Sequence, residues 1–403
     1  MKRILGLLLL TLAASFLLSG CWNRRELNEL GIAVAAGVDK VGDKYRLSVQ
    51  IAIPGQVASK KVGSPQAPAT LFTSEGDTLF EAARRMSQSS PRKIYFAHLR
   101  MFIIGESLAR QGIAEVLDLL FRDHEFRTDF YFAVSKENTA EETLKIMTPI
   151  ETIPANKLFT SLQTSEKIWS PTKAVTLDEL INDLSSKGKH PVLTGLEIRG
   201  DKNIGEKKIN VENIYTPSHL VYSGFAVFKS DRLIGWLNEK ESRGYRLILG
   251  DVKSSVNHVK CRDQGKVVLE TLRTSAKVKG SMVKSRPHIN IRFSAEGNVG
   301  SVECSGLDLT KPETIQKLET EMEQMTVRLI ETVIQKVQTE YKVDIFGFGE
   351  AIRRSNPKAW KSMKEDWDER YFPNLPVHIQ VDYHIRRTGT ISDSFLNEIR
   401  ETR

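Results

Sequence analysis

Hydrophobic positions along the chain follow three patterns. Ile4 to Leu18 is a single apolar run, interrupted only by Gly6, Thr11 and Ser15. From Gly31 onward, short stretches alternate apolar and polar residues, the period of a half-buried strand. Late in the chain Ile315, Leu318, Met322, Met325, Leu329, Val333, Val337 and Tyr341 recur every three or four residues, as one stripe of a helix does.

Taken in order, Gly31–Asp39 and Tyr45–Ile53 predict two strands joined at Gly42-Asp43, and Ala69–Ser74 a third beyond the Gly-, Ser- and Pro-rich loop Pro54–Thr70. Asp77 is placed to cap a helix through Leu79, Phe80, Ala83 and Met86. Ile94–Ile104 reads as one long strand, followed by helical pieces on either side of Gly112 and a strand at Asp129–Val134. Helices are expected over Asn138–Met147, Asn156–Ser165 and Leu177–Ser185, the last opened by the capping box Thr176-x-x-Glu179, and Val192–Ile198 is a closing strand. The polar stretch Gly200–Asn210 marks a first domain boundary. A hairpin at His219–Phe228 and Leu233–Leu237, a helix over Glu239–Leu249 and strand-like Val256–Lys260 and Val267–Leu272 follow, and a second, soft boundary lies within Cys261–Gly280. Beyond it come strands at Ala276–Lys279 and His288–Gly297. A capping box at Thr310–Glu313 then opens a helix from Pro312 to about Tyr341, and a helix from Asn356-Pro357 and a strand over Val377–Ile385 close the chain. The expectation is an α+β chain with regions 21–200, 201–270 and 271–403, each a mostly antiparallel or mixed sheet with flanking helices, and a long helix in the last.

The first apolar run follows Lys2 and Arg3, is shorter than the ~20 residues of a membrane span, and ends at Leu18-Ser19-Gly20-Cys21. That is a signal peptide over residues 1–20 closing on a lipobox, in which Cys21 is diacylated and becomes the first mature residue. Trp22, next to it, sits either at the bilayer interface or under the first domain. The signal holds two of the 58 Lys and Arg and none of the 50 Asp and Glu, which leaves the remainder at +6. This mild excess suits a protein held beside an anionic membrane. It has no basic block with interleaved aromatics, so nucleic acid is not an expected partner. Cys261 and Cys304 either pair outside the cytoplasm or stay as free thiols.

No catalytic constellation and no metal-type spacing of Cys and His is present, so neither an enzymatic activity nor a cofactor or metal is expected. Gly347-Phe348-Gly349 lacks the third glycine of a dinucleotide loop and reads as a turn ending the long helix. His98, within the expected strand, reads as a hydrogen-bonded histidine rather than a general base.

Cys21-Trp22-x-x-x-Glu26-Leu27 after the lipobox resembles the start of the Ger(x)C spore-germination lipoproteins. Gly37-Val38-Asp39, His98-Leu99-Arg100 leading to Ile103-Ile104-Gly105-Glu106, Ser223–Phe228 with Leu233-Ile234-Gly235, and Asp344–Gly349 followed by Pro357, Trp360 and Trp367 resemble that family's later segments in the same order. Asn23 stands where the family often has Asp. The resemblance implies three domains, each a sheet with helices around it, and no known enzymatic activity. It implies the C subunit of a nutrient germinant receptor, lipid-anchored through Cys21 on the outer face of the spore inner membrane beside A and B subunits. The rival from another class is a solute-binding lipoprotein of a transporter, with two lobes of βαβ units around a cleft. Paired strands, hairpins and the late long helix argue against it.

Overall fold

The computed structural model of the chain describes residues 3–6, 26–55, 67–261, 265–304 and 307–388. Two sheets carry the fold. The first contains β1 (Leu30–Val41), β2 (Lys44–Ala52), β3 (Ala69–Gly76), β4 (Lys93–Tyr95), β5 (Met101–Gly105), β6 (Tyr131–Ser135), β7 (Val192–Gly200), β8 (Ser218–Lys229) and β9 (Arg232–Leu237). Their order is β3-β2-β1-β5-β6-β7-β8-β9, with β4 against the start of β1. The central neighbours β1, β5, β6 and β7 run parallel, and the hairpins on either side are antiparallel. Parallel neighbours need crossovers, and helices supply them on both faces. Leu79–Arg85, Ala114–Arg122 and Leu177–Ser185 pack with Val49, Phe102 and Phe132 on one face. Ala140–Lys145 and Pro154–Ile168 cover the other with Ala35, Met101 and Ala133. This is why β1 and β5 are buried almost throughout.

The second sheet is β10 (Ser255–Lys260), β11 (Lys266–Val283), β12 (Arg286–Val302) and β13 (Val377–Arg387), in that order. Val267–Leu272 and Ala276–Lys279 prove to be parts of the one strand β11, bent by register shifts near Val268 and Thr271. The region read as 201–270 thus sends β8 and β9 to the first sheet and β10 and the start of β11 to the second. Its helix Glu239–Leu249, capped by Asn238 and ended by left-handed Gly250, packs against the long helix.

The long helix is α-helical over Pro312–Lys336 and closes with a π turn, Val337–Tyr341. Leu318, Met322, Thr326, Ile330, Val333 and Ile334 are its buried face, while Met325 and Leu329 sit half-buried at the edge. The expected capping box does not form. Lys311 is the N-cap without a side-chain bond, Pro312 occupies the first turn, and Thr310 turns its hydroxyl to Asp308 instead. Thr78, not Asp77, caps Leu79–Arg85. The Thr176–Glu179 capping box is present. The expected strand Ile94–Ile104 is broken by a 3-10 turn at Phe96–His98, which takes the chain from β4 to β5.

One core joins the two sheets. Val192, Phe225, Val227 and Leu237 of the first pack with Ile289 and Ile291 of the second, the long helix and Phe346, Phe348, Trp360 and Trp367.

Candidate functional site

The segment after the long helix is organised by one carboxylate. Left-handed Lys342 (φ 54°) ends the π turn by returning its N–H to Val337 O at 2.7 Å, so it is Lys342 and not Gly347 that terminates the helix. Asp344 is then fully buried. Its Oδ1 accepts from the N–H groups of Phe346 (3.0 Å), Gly347 (2.9 Å) and Phe348 (3.2 Å). Its Oδ2 accepts from Gly349 N–H (2.7 Å) and Trp367 Nε1–H (3.0 Å). Burial lifts the Asp344 carboxyl to about 6, against the pull of the Gly349, Trp367 and Phe348 donors. Gly347 (φ 77°) is the left-handed residue that starts the helix Phe348–Ser355.

This loop latches the two halves of the chain. A Cβ on Gly349 would stand 2.8 Å from Gly188 Cα, and one on Gly188 would stand 2.7 Å from Glu350 N, so both backbones approach only as glycine. Around that contact His190 N–H donates to Asp344 O (2.7 Å) and Ser186 Oγ–H to Glu350 Oε1 (2.9 Å). His190 Nδ1 accepts from Ser230 N–H (3.0 Å), which leaves the ring proton on Nε2, 2.6 Å from Asp368 Oδ2. Asp368 Oδ1 in turn accepts from Asp344 N–H (3.1 Å).

A second node orders the first half. Asp39, at the end of β1, is buried and accepts from Ala140 N–H (2.8 Å) and Glu141 N–H (3.0 Å), holding the first turn of Ala140–Lys145. Burial raises its carboxyl above the usual range, although those two donors pull it down. Gly105 must be glycine because a Cβ there would overlap Asp39 Oδ1. Glu106 accepts from Glu137 N–H (2.8 Å), Trp236 Nε1–H (3.2 Å) and Arg110. Burial pushes it up, but these donors prevail and hold it below the ordinary carboxylate range. The motif residues Asp39, Gly105, Glu106, Asp344, Gly347, Gly349 and Trp367 are therefore caps and latches, each engaged by a partner remote in sequence or by its own turn.

His98 is exposed in its 3-10 turn with the Tyr95 ring edge-on at 5.8 Å, and Arg100 lies 5.1 Å over the Phe159 ring. Cys261 and Cys304 form a disulfide, their Cα atoms 5.9 Å apart, which pins the end of β10 to the end of β12. Cys21 and Trp22 lie outside the described residues. Among the described residues no group of three or more His, Cys, Asp or Glu is placed to hold a metal ion, and no helix is long and apolar enough to cross a membrane.

Among the described residues, one apolar surface is left largely uncovered. Met147–Glu151, the outer side of Pro154–Ile168, Trp169 and Thr216–Leu220 form a broad concave apolar face. Ile150 is fully exposed at its rim (φ 64°), and Ile168 and Trp169 are more than a third exposed. Ile214 and Tyr215 stand out beside Thr216. In this face Lys157 donates to Leu220 O, and burial lowers its ammonium to about 8. Patches of this kind mark interaction surfaces, and no sequence signal singled this one out.

Comparison with known proteins accounts for both halves. Residues 23–198 match the spore germination protein N-terminal domain, and residues 223–389 match the spore germination B3/GerAC-like C-terminal domain. Spore germination protein KC of Bacillus subtilis (strain 168) is 31% identical over 408 residues, covering 100% of both chains. Spore germination proteins B3 and A3 of the same organism are 24% and 25% identical, covering 93% and 96% of this chain and 95% and 98% of theirs. The crystal structure of the GerBC protein shares the fold at a TM-score of 0.54 and 20% identity, over 87% of this chain and 96% of that one. The chain belongs to the spore germination protein family defined by these N-terminal and B3/GerAC-like C-terminal domains.

Proposed function

We propose that this chain is the C subunit of a nutrient germinant receptor, anchored by lipid on Cys21 to the outer face of the spore inner membrane, where it acts with A and B subunits. The observation that carries this reading is the match along the whole chain to spore germination protein KC. The part played is non-catalytic: the polar residues of the motifs hold helix starts and the interdomain latch. Two acyl chains on Cys21 keep a protein on a bilayer stably. Cys21 stands five positions before Glu26, a tether of at most about 17 Å. Confinement in this way raises the local concentration of the body beside membrane partners, and the apolar face around Ile150 and Trp169 is the surface assigned to them.

The test is made in spores. Cys21→Ala should release the protein from the inner membrane and cripple the nutrient response. Ile150→Asp, at a fully exposed position, should leave folding intact and reduce recovery of a multi-spanning partner in a pull-down of the tagged protein. Normal germination with the Cys21→Ala protein still at the membrane sinks the anchoring. Recovery of a transporter permease in place of receptor subunits sinks the receptor assignment.

A further inference from the structure

The first half contains a cavity that the latch, the caps and the apolar face do not use. It has a volume of about 190 Å³ and lies between the helix Leu79–Arg85, the sheet and the end of Ala114–Arg122. Leu47, Leu79, Phe96, Phe102 and Leu120 form its interior. It is larger than the roughly 150 Å³ apolar cavity that stays dry and takes up benzene, so it has room for about six to eight carbon atoms.

The rim is charged, with its two signs in different states. Lys93 is ion-paired with Glu125. Asp123 accepts from Glu125 N–H (2.9 Å). Arg84 and Arg92 are exposed at the rim and have no carboxylate partner among the described residues, Arg84 resting 4.7 Å over the Phe80 ring. The charge left uncommitted at the rim of the apolar cavity is therefore positive.

We propose that this cavity binds a small carboxylate with an apolar tail of up to about eight carbons, tail inward and carboxylate at Arg84 and Arg92. Two sources share that chemistry: a short fatty acid and a free hydrophobic amino acid. Only the second carries an ammonium, which would have to share the Glu125 carboxylate with Lys93. The inference does not rest on the receptor assignment.

The experiment titrates the full chain, reconstituted in phosphatidylcholine vesicles, with straight-chain carboxylates from butanoate to nonanoate, by calorimetry. Affinity should rise about fourfold per added carbon and level off when the cavity is full. Arg84→Gln and Arg92→Gln should each weaken every acid three- to tenfold and leave the matching neutral alcohols unchanged. Ala83→Phe, which fills the cavity from the helix, should abolish binding of acids and alcohols while the melting temperature stays level or rises. Tighter binding of leucine than of 4-methylpentanoate identifies the amino acid, and the reverse order identifies the fatty acid. No saturable binding, a rise with chain length that never levels, or arginine variants that bind like the parent overturns the proposal. None of these bears on whether Cys21→Ala spores germinate, so the two readings fail separately.

Discussion

Replacing Asp344 by Asn tests whether the latch rests on a carboxylate or merely on a small polar residue. The substitution keeps the shape and one acceptor oxygen. That oxygen can still take the Phe346, Gly347 and Phe348 N–H groups. The new amide nitrogen then faces Gly349 N–H and Trp367 Nε1–H, now 2.7 and 3.0 Å from Oδ2. Two buried donors lose their acceptor and meet another donor. Each costs about 1–3 kcal/mol, so the loss is about 4 kcal/mol, a large part of the 5–15 kcal/mol that typically holds a domain folded. At about 2–4 °C per kcal/mol for a unit of this size, the melting transition falls by about 12 °C. The measurement is guanidinium and thermal unfolding at pH 7.5, where the carboxyl is ionised, followed by tryptophan fluorescence. Trp367→Phe supplies the internal check. It removes one of the two orphaned donors, so in the double variant the losses should fall short of additive by about 1–3 kcal/mol. A loss under about 1 kcal/mol for Asp344→Asn, or full additivity with Trp367→Phe, refutes the reasoning.

Lys157 gives a pH signature. Its folded-state value of about 8 lies below the usual 10.5, so the unfolded chain holds the proton more tightly and stability rises with pH between about 8 and 10.5. The rise is at most about 3 kcal/mol, and Lys157→Met should flatten it in urea melts across that range. Reducing the Cys261–Cys304 disulfide, or Cys304→Ser, frees a crosslink spanning 43 residues and should lower stability by about 4 kcal/mol on loop entropy, read as a shift in denaturant midpoint with and without reductant. Gly105→Ala drives a Cβ into Asp39 Oδ1 and strips the acceptor from Ala140 and Glu141 N–H. A loss of at least about 2 kcal/mol follows, seen as a lower melting temperature and weakened hydrogen-exchange protection of Ala140–Lys145.

Elements set by their own pattern were readable in the sequence. Lys44–Ala52 alternates, Glu239–Leu249 carries its Asn238 cap and Gly250 stop, and Thr176 and Glu179 spell a capping box that forms. Thr310–Glu313 spells the same box, yet the helix starts one residue later, with Lys311 as its N-cap and Pro312 in the first turn, and the Thr310 hydroxyl donates to Asp308 outside the helix. Ile94–Ile104 misleads for a different reason. Its apolar and aromatic content is continuous, but β4 pairs the start of β1 and β5 pairs its middle, and the chain must step between them through Phe96–His98. The sheet to which β8 and β9 belong is likewise a matter of pairing with β7 across the polar segment after Gly200, which no local period encodes.

The motifs carry the same lesson to the site. Asp39 and Asp344 are recognisable as family positions, and neither announces a function, because a donor distant in sequence completes each site. Ala140 lies 101 residues beyond Asp39, and Trp367 lies 23 beyond Asp344. A buried aspartate with no partner would read as a catalytic candidate. Once its donors are in place, the carboxylate is spent on backbone and indole N–H groups and has no lone pair aimed at a substrate. The features that face outward show the converse. Lys157, Ile150, Arg84 and Arg92 belong to no motif, and in the linear chain each is one more residue of a common type. Folding sets Lys157 against an apolar face, donating to Leu220 O, and sets at the mouth of an apolar cavity two arginines that have no carboxylate partner among the described residues. In this protein the recognisable residues build the frame, and the surfaces available to partners and ligands are made of residues whose significance exists only after folding.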